Sequence, residues 1–509
     1  MALPDFAVVI LAAGKGTRLK SSLAKVLHRA GGRTLIEHVV RACQPLKPRA
    51  IIAVVGHQSA EVSAILKPLG VQTVVQELQR GTGHAMLVAR RALGNRAKYA
   101  IVLPGDAPLV CTETLAELAR IHQRSSAAAT ILSAQLAQPA GYGRIIRRGD
   151  GSVDAIVEDS ALTDDQRSVN EINSSIYAFT LNKLWPCLAR VRPENAHREL
   201  YLTDAIGLLR TQGDAVQAVV AADPDEVLGC NTRADLAAVD LAFRRRKRAE
   251  LMAAGVSMIM PESILIDADV TVGPDTLLEP GVQLLGKSRI GTGCTIATGS
   301  ILSDVTLGDR VTVKPYSVMY SSQIADEAQL GPFTHLRHAV RMEEGARVGN
   351  FVEVKNTVIG EGAKAMHLTY LGDARIGSKT NVGAGTITCN YDGVNKNPTT
   401  IGRGVFIGSD TALVAPVRVG DGAYIAAGST ITDNIPSDAL AIARGRQVNK
   451  PGWAAKRRRE MAATKRERKP KQKASAKARK SSPARSARVS RGKVAAAAKR
   501  VRKTSRRHR

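Results

Sequence analysis

Apolar residues run through the first 230 or so positions in two rhythms. Short unbroken runs ("FAVVILAAG", "AIIAVVG", "VQTVV", "YAIVLPGD") have the length and β-branched content of buried strands. Between them, "TLIEHVVRACQ" and "TLAELARIHQ" space their apolar residues three and four apart, as a helix with one buried face does. This alternation predicts an α/β domain with a largely parallel sheet, whose ligands gather at the carboxyl ends of the strands. The loops after "VVILA" and "IVLPG" are where chemistry is expected. Residues 232–254 then read as one long helix, with Leu236, Val239, Ala242 and Phe243 as a single apolar stripe and Gly255 as its end.

From about 264 the period becomes six. Val272, Leu278, Leu284, Ile290, Ile296 and Leu302 form one run, and Ile401, Ile407, Leu413, Val419, Ile425 and Ile431 form another. Glycine often follows the aliphatic residue. Such a period predicts a parallel β-helix, whose coils stack because none buries its own core. Between the runs, "EVKN", "HLTYLGD", "NVGAG" and "TCNYDG" bring in Lys355, His367, Tyr370, Asn381, Asn390 and Tyr391. The expectation is that the repeat gives up core residues here for polar ones lining one cleft. A lone histidine is more often a hydrogen-bonded structural residue; the clustering carries the alternative, a base titrating near neutrality.

Composition narrows the class. With 44% hydrophobic and 23% charged residues the chain reads as globular, and with 3% aromatics its cores must be aliphatic. The six cysteines are scattered without a CxxC pair, which argues against a disulfide framework or zinc site and fits the reducing cytoplasm. No run approaches the ~20 apolar residues of a membrane span. The net charge of +28 is concentrated in residues 454–509, which carry 24 Lys+Arg against 2 Asp+Glu; the remainder stands at +6. That tail has almost no large apolar residue and is expected to be disordered, with nucleic acid or anionic surfaces as partners, or none.

The loop "LAAGKGTRLKSSLAKVLH" is neither a Walker loop nor a GxGxxG fingerprint. Gly14 and Gly16 allow a phosphate to approach the backbone, and Arg18 and Lys25 offer cationic donors. From these residues alone a tight turn with solvated charges is an equal reading. Position behind a buried strand favours nucleotide binding. Asp106 in "PGD" reads as a loop-capping carboxylate or a metal ligand.

The run Leu11–His28 resembles the signature of the sugar nucleotidyltransferases. "QRGTGHAM", "PGDAPL", "GYGRI", "IVED", "EINSSIY" and "LGCNTR" follow in that family's order. Over roughly residues 5–453 the chain resembles the bifunctional N-acetylglucosamine-1-phosphate uridyltransferase and glucosamine-1-phosphate N-acetyltransferase family. The resemblance implies a Rossmann-like uridylyltransferase domain (1–231), a linker helix (232–254), a left-handed, trimeric hexapeptide β-helix (255–453) and the basic tail outside both.

In the first domain it implies that Leu11, Ala12, Ala13 and Gly14 cradle UTP and that Arg18 and Lys25 serve catalysis at the phosphates. Gln76, Gly81 and Thr82 would read the uracil. Pro104 and Gly105 would lead to Asp106, which with Asn231 would bind Mg2+. Gly143, Glu158 and Asn173 would hold the sugar. In the second domain it implies His367 as general base. Arg337, Lys355, Tyr370 and Asn381 would bind the glucosamine phosphate. Ala384, Asn390, Tyr391, Ser409, Ala427 and Arg444 would bind acetyl-coenzyme A, with Asn390 and Ser409 near the reacting groups. The product would be UDP-N-acetylglucosamine, a precursor of peptidoglycan and lipopolysaccharide. The alternative is a single-activity nucleotidyltransferase with a structural or regulatory β-helix. Ala24 stands where the family usually has proline, His335 and His338 where it more often has arginine and proline, and Met366 where a small residue is common.

Overall fold

A computed structural model describes residues 3–193 and 198–465. Met1–Arg444 forms one compact unit and the chain from Gly445 another.

The strand Phe6–Ala12 lies inside a nine-stranded sheet, flanked in parallel by Ile51–Val55 and Tyr99–Pro104. Gln72–Val75 extends the parallel side. On the other side Glu171–Thr180 runs antiparallel to both Tyr99–Pro104 and Ala129–Gln135, a reversed strand set into a sheet that is otherwise largely parallel, as expected. This strand escaped the apolar-run criterion because it buries polar side chains. Glu171 takes Arg147 and Ser133, Ser174 donates to Leu132 O, and Asn173 donates to the Tyr177 hydroxyl. Each buried polar group thus has a partner, which is the condition for burying it.

The helix Arg233–Ala253 starts at a capping box between Thr232 and Asp235. Its stripe faces the α/β domain, with Val239 and Ala242 buried and Phe243 stacked on His38 at 3.8 Å. It also reaches the first coil, where Arg244 pairs with Asp267 and the buried Arg248 donates to Ile264 O. Burial pushes the His38 imidazole down to about 4.

Beyond the helix, short strands pair in parallel, coil on coil. One inward column runs Val272, Ile290, Leu307, Ile324, Met342, Ile359, Ile376, Ile401 and Val419. Every residue of the two hexad runs is buried. The gap between the runs is a slip of phase, not a break. Inward residues continue through it, but the spacing drops to five at Leu302–Leu307, Met319–Ile324, Val354–Ile359 and Leu371–Ile376. The expectation that His367 and Tyr370 replace core residues is therefore corrected. Ala365 and Leu371 stay inward on their strand while His367 points to solvent. What changes here is strand length: Arg347–Lys355 and Lys364–Gly372 are nine-residue strands where most rungs have two or three.

In the second unit, residues 453–465 are helical and exposed throughout, although disorder was expected from 454. The rest of that expectation lies outside the described residues.

Candidate active sites

In the α/β domain, the Gly105 N–H donates to Leu11 O at 2.9 Å and holds the two strand-end loops side by side. They open onto a cavity of about 550 Å3. Its walls include Leu11, Ala12, Ala13, Gly14, Lys25, Gln76, Gly81, Thr82, Pro104, Asp106 and Glu158. Tyr177, Tyr201 and Thr203 line it as well and were not singled out in the sequence. For Tyr201 and Thr203 the signal was present in "ELYLTDAI", a polar and aromatic stretch at the start of a helix.

The loop Arg80–Gly83 is tied to the segment before that helix. Leu200 N donates to Arg80 O, Gly83 N to Leu200 O at 2.7 Å, and Leu202 N to Thr82 Oγ1 at 3.0 Å. Gly81 has φ +96°, and a Cβ there would lie 2.6 Å from Leu200 O, so only glycine fits. Gln76 is buried, its amide nitrogen 2.9 Å from His84 Nδ1. Burial pushes the Glu158 carboxyl above its ordinary value; Thr203 hydrogen-bonds it in opposition, and Asp204 and Asp159 reinforce the rise.

Arg18, Gly105, Gly143, Asn173 and Asn231 lie outside the cavity wall. Arg18 and Asn231 are nonetheless joined to it. Asn231 Oδ1 accepts from Lys25 Nζ and from Arg18 Nη2, both at 2.8 Å, while Lys25 also pairs with Asp106. Asn173 sits behind Tyr177, and its N–H donates to Gly143 O. Among the described residues there is no group of three or more His, Cys, Asp or Glu able to hold a metal.

On the β-helix, His367 faces Asn350 across one rung. Its Nδ1 lies 2.8 Å from Asn350 Oδ1. An amide oxygen only accepts, so Nδ1 is the donor, and in the neutral imidazole the lone pair lies on Nε2. Met366 is half-buried and leaves the imidazole exposed. Tyr370 pairs with Glu353 and Ile387 on the adjacent coils, and Arg337 reaches Glu353 Oε1 at 3.1 Å. Asn390 donates to Asp373, which also accepts from Asn356 at 2.7 Å. Burial pushes the Asp373 carboxyl up, but these hydrogen bonds and the charges of Lys355 and Lys396 prevail and hold it below its ordinary value. Lys396 beside Lys355 lowers the Lys355 ammonium. Asn350, Asp373 and Lys396 were missed in the sequence.

The coenzyme candidates form a stacked series on later coils. Asp410 N donates to Ala384 O at 2.7 Å, Gly428 N to Ser409 O at 2.8 Å, and Arg444 Nη1 to Ala427 O at 2.7 Å. Asn381 lies on the rung beyond Lys364. The loop with Tyr391 lengthens its coil, since Val382 pairs with Ile407 while Ile407 pairs with Ile425. Asp392 organises that loop by accepting from the backbone of Val394 and Asn395.

Residues 8–165 match the MobA-like NTP transferase domain, and residues 398–433 match the bacterial transferase hexapeptide (six repeats). The Bifunctional protein GlmU of Koribacter versatilis is 50% identical over 459 residues, covering 89% of this chain and 98% of that protein. Its namesake from Trichlorobacter lovleyi is 46% identical over 453 residues, covering 89% and 98%. That from Streptococcus agalactiae serotype V is 45% identical over 449 residues, covering 88% and 97%. The chain belongs to the GlmU family.

For a GlmU chain, the departure at Ala24 has a local counterpart. The Ala24 N–H donates to Gln58 Oε1 at 2.5 Å, a bond that proline could not make. It anchors the backbone just before Lys25. Of the two histidines at unusual positions, His335 packs edge-on to Tyr320 and His338 is exposed; Arg337 between them keeps its partner Glu353.

Proposed function

We propose that this GlmU-family chain makes UDP-N-acetylglucosamine by two reactions at two sites. An acetyl group passes from acetyl-coenzyme A to glucosamine-1-phosphate. UTP then gives its uridylyl group to N-acetylglucosamine-1-phosphate. The observation that carries the reading is that one compact unit holds both a cavity bearing Lys25 and Asp106 and an outward histidine with a free Nε2.

In uridylyl transfer, a phosphate oxygen of the sugar phosphate bonds to the α-phosphorus as the bond to the bridging oxygen breaks, and pyrophosphate leaves. Leu11 to Gly14 place backbone against the nucleotide, and Gln76, Gly81 and Thr82 face the uracil. Gly143, Glu158 and Asn173 orient the sugar, Asn173 through Tyr177. Lys25 and Arg18 meet the charge that develops on the leaving group. Asp106 and Asn231 turn oxygens toward the same lysine nitrogen, a hard donor pair that fits Mg2+ once phosphate oxygens complete its shell. When bound, Mg2+ supplies positive charge that relieves repulsion between the two anionic reactants.

In acetyl transfer, His367 Nε2 takes a proton from the attacking amine as nitrogen bonds to the thioester carbonyl, and coenzyme A leaves after the tetrahedral intermediate collapses. Asn350 holds the imidazole in the acceptor tautomer. Asn390, its amide nitrogen committed to Asp373, presents its oxygen to the amine. Arg337, Lys355, Tyr370 and Asn381 take the sugar phosphate, and Ala384, Tyr391, Ser409, Ala427 and Arg444 take the coenzyme.

The assembly is a trimer through the β-helix. Supporting this is an exposed ladder at successive coil corners, where Tyr316 stacks on Phe333 at 5.6 Å and Phe333 on Phe351 at 5.2 Å, with Leu368 beside His367 as the next step. An apolar stripe of this length is the kind of surface a second copy covers. The six cysteines are free thiols, which supports a place in the cytoplasm. Assaying both transfers separately on purified protein tests the reading; failure of either one in folded protein would reduce it to a single activity.

A further inference from the structure

We propose that the Lys25 ammonium and the divalent cation are alternative occupants of one position, and that the nucleotide phosphates draw the lysine away from it. The inference rests on the uridylyltransferase reading and assigns Lys25 a role before chemistry begins.

The geometry begins with Asp106 and Asn231, which lie 125 residues apart and converge because Cys230 N donates to Asp106 O at 3.0 Å. Their two oxygens meet at Lys25 Nζ, which pairs with Asp106 and stands 2.8 Å from Asn231 Oδ1. Lys25 and Asp106 side chains are each 16% exposed, so water screens this pair only in part. Arg18 Nη2 occupies the remaining side of the Asn231 oxygen. A cation held at about 2.1 Å from both oxygens needs the space that Nζ fills. The two cannot bind together.

The lysine stem is built to pivot at its far end. Gly16 has φ +65°, and a Cβ there would lie 2.6 Å from Lys25 Cβ, so the loop backbone packs directly on the base of the stem. The Ala24–Gln58 hydrogen bond fixes the backbone on the other side. Motion is left to the outer methylenes, which carry a compact charge with freely rotating donors. A metal–nucleotide complex brings a cation for Asp106 and phosphates for the displaced ammonium in one step. Metal alone must break the ion pair and finds only two protein oxygens. Metal and nucleotide should therefore bind cooperatively, with Lys25 as the coupling element.

The test measures binding. Mn2+ is titrated into the full-length protein by electron paramagnetic resonance, with and without a non-hydrolysable UTP analogue. The analogue alone is titrated in EDTA. Lys25→Met should bind Mn2+ alone about tenfold more tightly than wild type, bind the metal-free analogue about tenfold more weakly, and lose most of the cooperative gain. A lysine with a merely structural role would not move the two ligands in opposite directions. Lys25→Gln serves as a second variant if the methionine protein does not fold. Mn2+ affinity unchanged or reduced in a folded variant overturns the exchange. Failure of wild type to bind the analogue, with or without Mn2+, overturns the uridylyltransferase reading itself.

Discussion

The two candidate sites differ in how much of each is enclosed by its own chain. The uridylyl site is a cavity of about 550 Å3, lined by strand-end loops and by the segment around Leu200. The acetyl site is a row of side chains on the outside of a β-helix, with His367, Ser409, Ala427 and Arg444 all exposed. A sheet whose strands end together makes a crevice from its own loops. A solenoid offers a surface, and in the proposed trimer a second copy would supply the opposite wall. Uridylyl transfer should therefore be a property of the single chain and acetyl transfer a property of the assembly.

The sharpest way to break this comparison is to disable one site chemically. Asp106→Ala should lower uridylyl transfer by on the order of a thousandfold while acetyl transfer keeps its rate, as read by pyrophosphate release and by free coenzyme A thiol. Next in size is the assembly itself. Burying each aromatic of the ladder is worth about 2 kcal/mol, so Phe333→Glu with Phe351→Glu should yield monomers by sedimentation. Those monomers should lose more than tenfold in acetyl transfer with uridylyl transfer unchanged; trimers, or equal loss of both, would remove the distinction. Asn350→Ala frees the imidazole tautomer without removing the base, and should cost acetyl transfer about tenfold in kcat with little change in KM.

A separate effect, on stability alone, concerns the support rather than the sites. Burial holds His38 and His122 down at about 4, against an ordinary 6.5. Both are neutral in folded and unfolded chains above pH 6.5, so their full contribution is present there. Between pH 6.5 and 4 the unfolded chain takes up the protons first, and each histidine withdraws up to about 3 kcal/mol. Urea midpoints should fall over that window, and His38→Phe, which retains a ring against Phe243, should flatten the fall by about one proton. An unchanged slope would mean that His38 is not buried neutral against the linker helix.

How much could be read in the chain follows the same division. The hexads were visible because every coil repeats one physical demand, an aliphatic residue pointing inward. The middle of the β-helix was hidden by a one-residue shortening per coil, which destroys a strict period of six but leaves the packing intact. That slip also explains why Asn350 was missed. His367 meets it across a coil of 17 residues, so the partner becomes legible only once the coil length is known. In the α/β domain the loops after two apolar strands were legible because buried strands need apolar runs. Glu171–Thr180 was not, because its buried side chains are satisfied by hydrogen bonds rather than by being apolar. Asp106 and Asn231 could be named by resemblance, but their convergence on Lys25 depends on tertiary closure over most of the domain.

The most direct test of two chemistries at two separate sites is a paired assay of His367→Ala and wild type. The folded variant should lose acetyl transfer by at least about a hundredfold and keep its uridylyl rate within twofold. Retained acetyl transfer, or loss of both activities in a protein with an unchanged melting curve, would contradict the account.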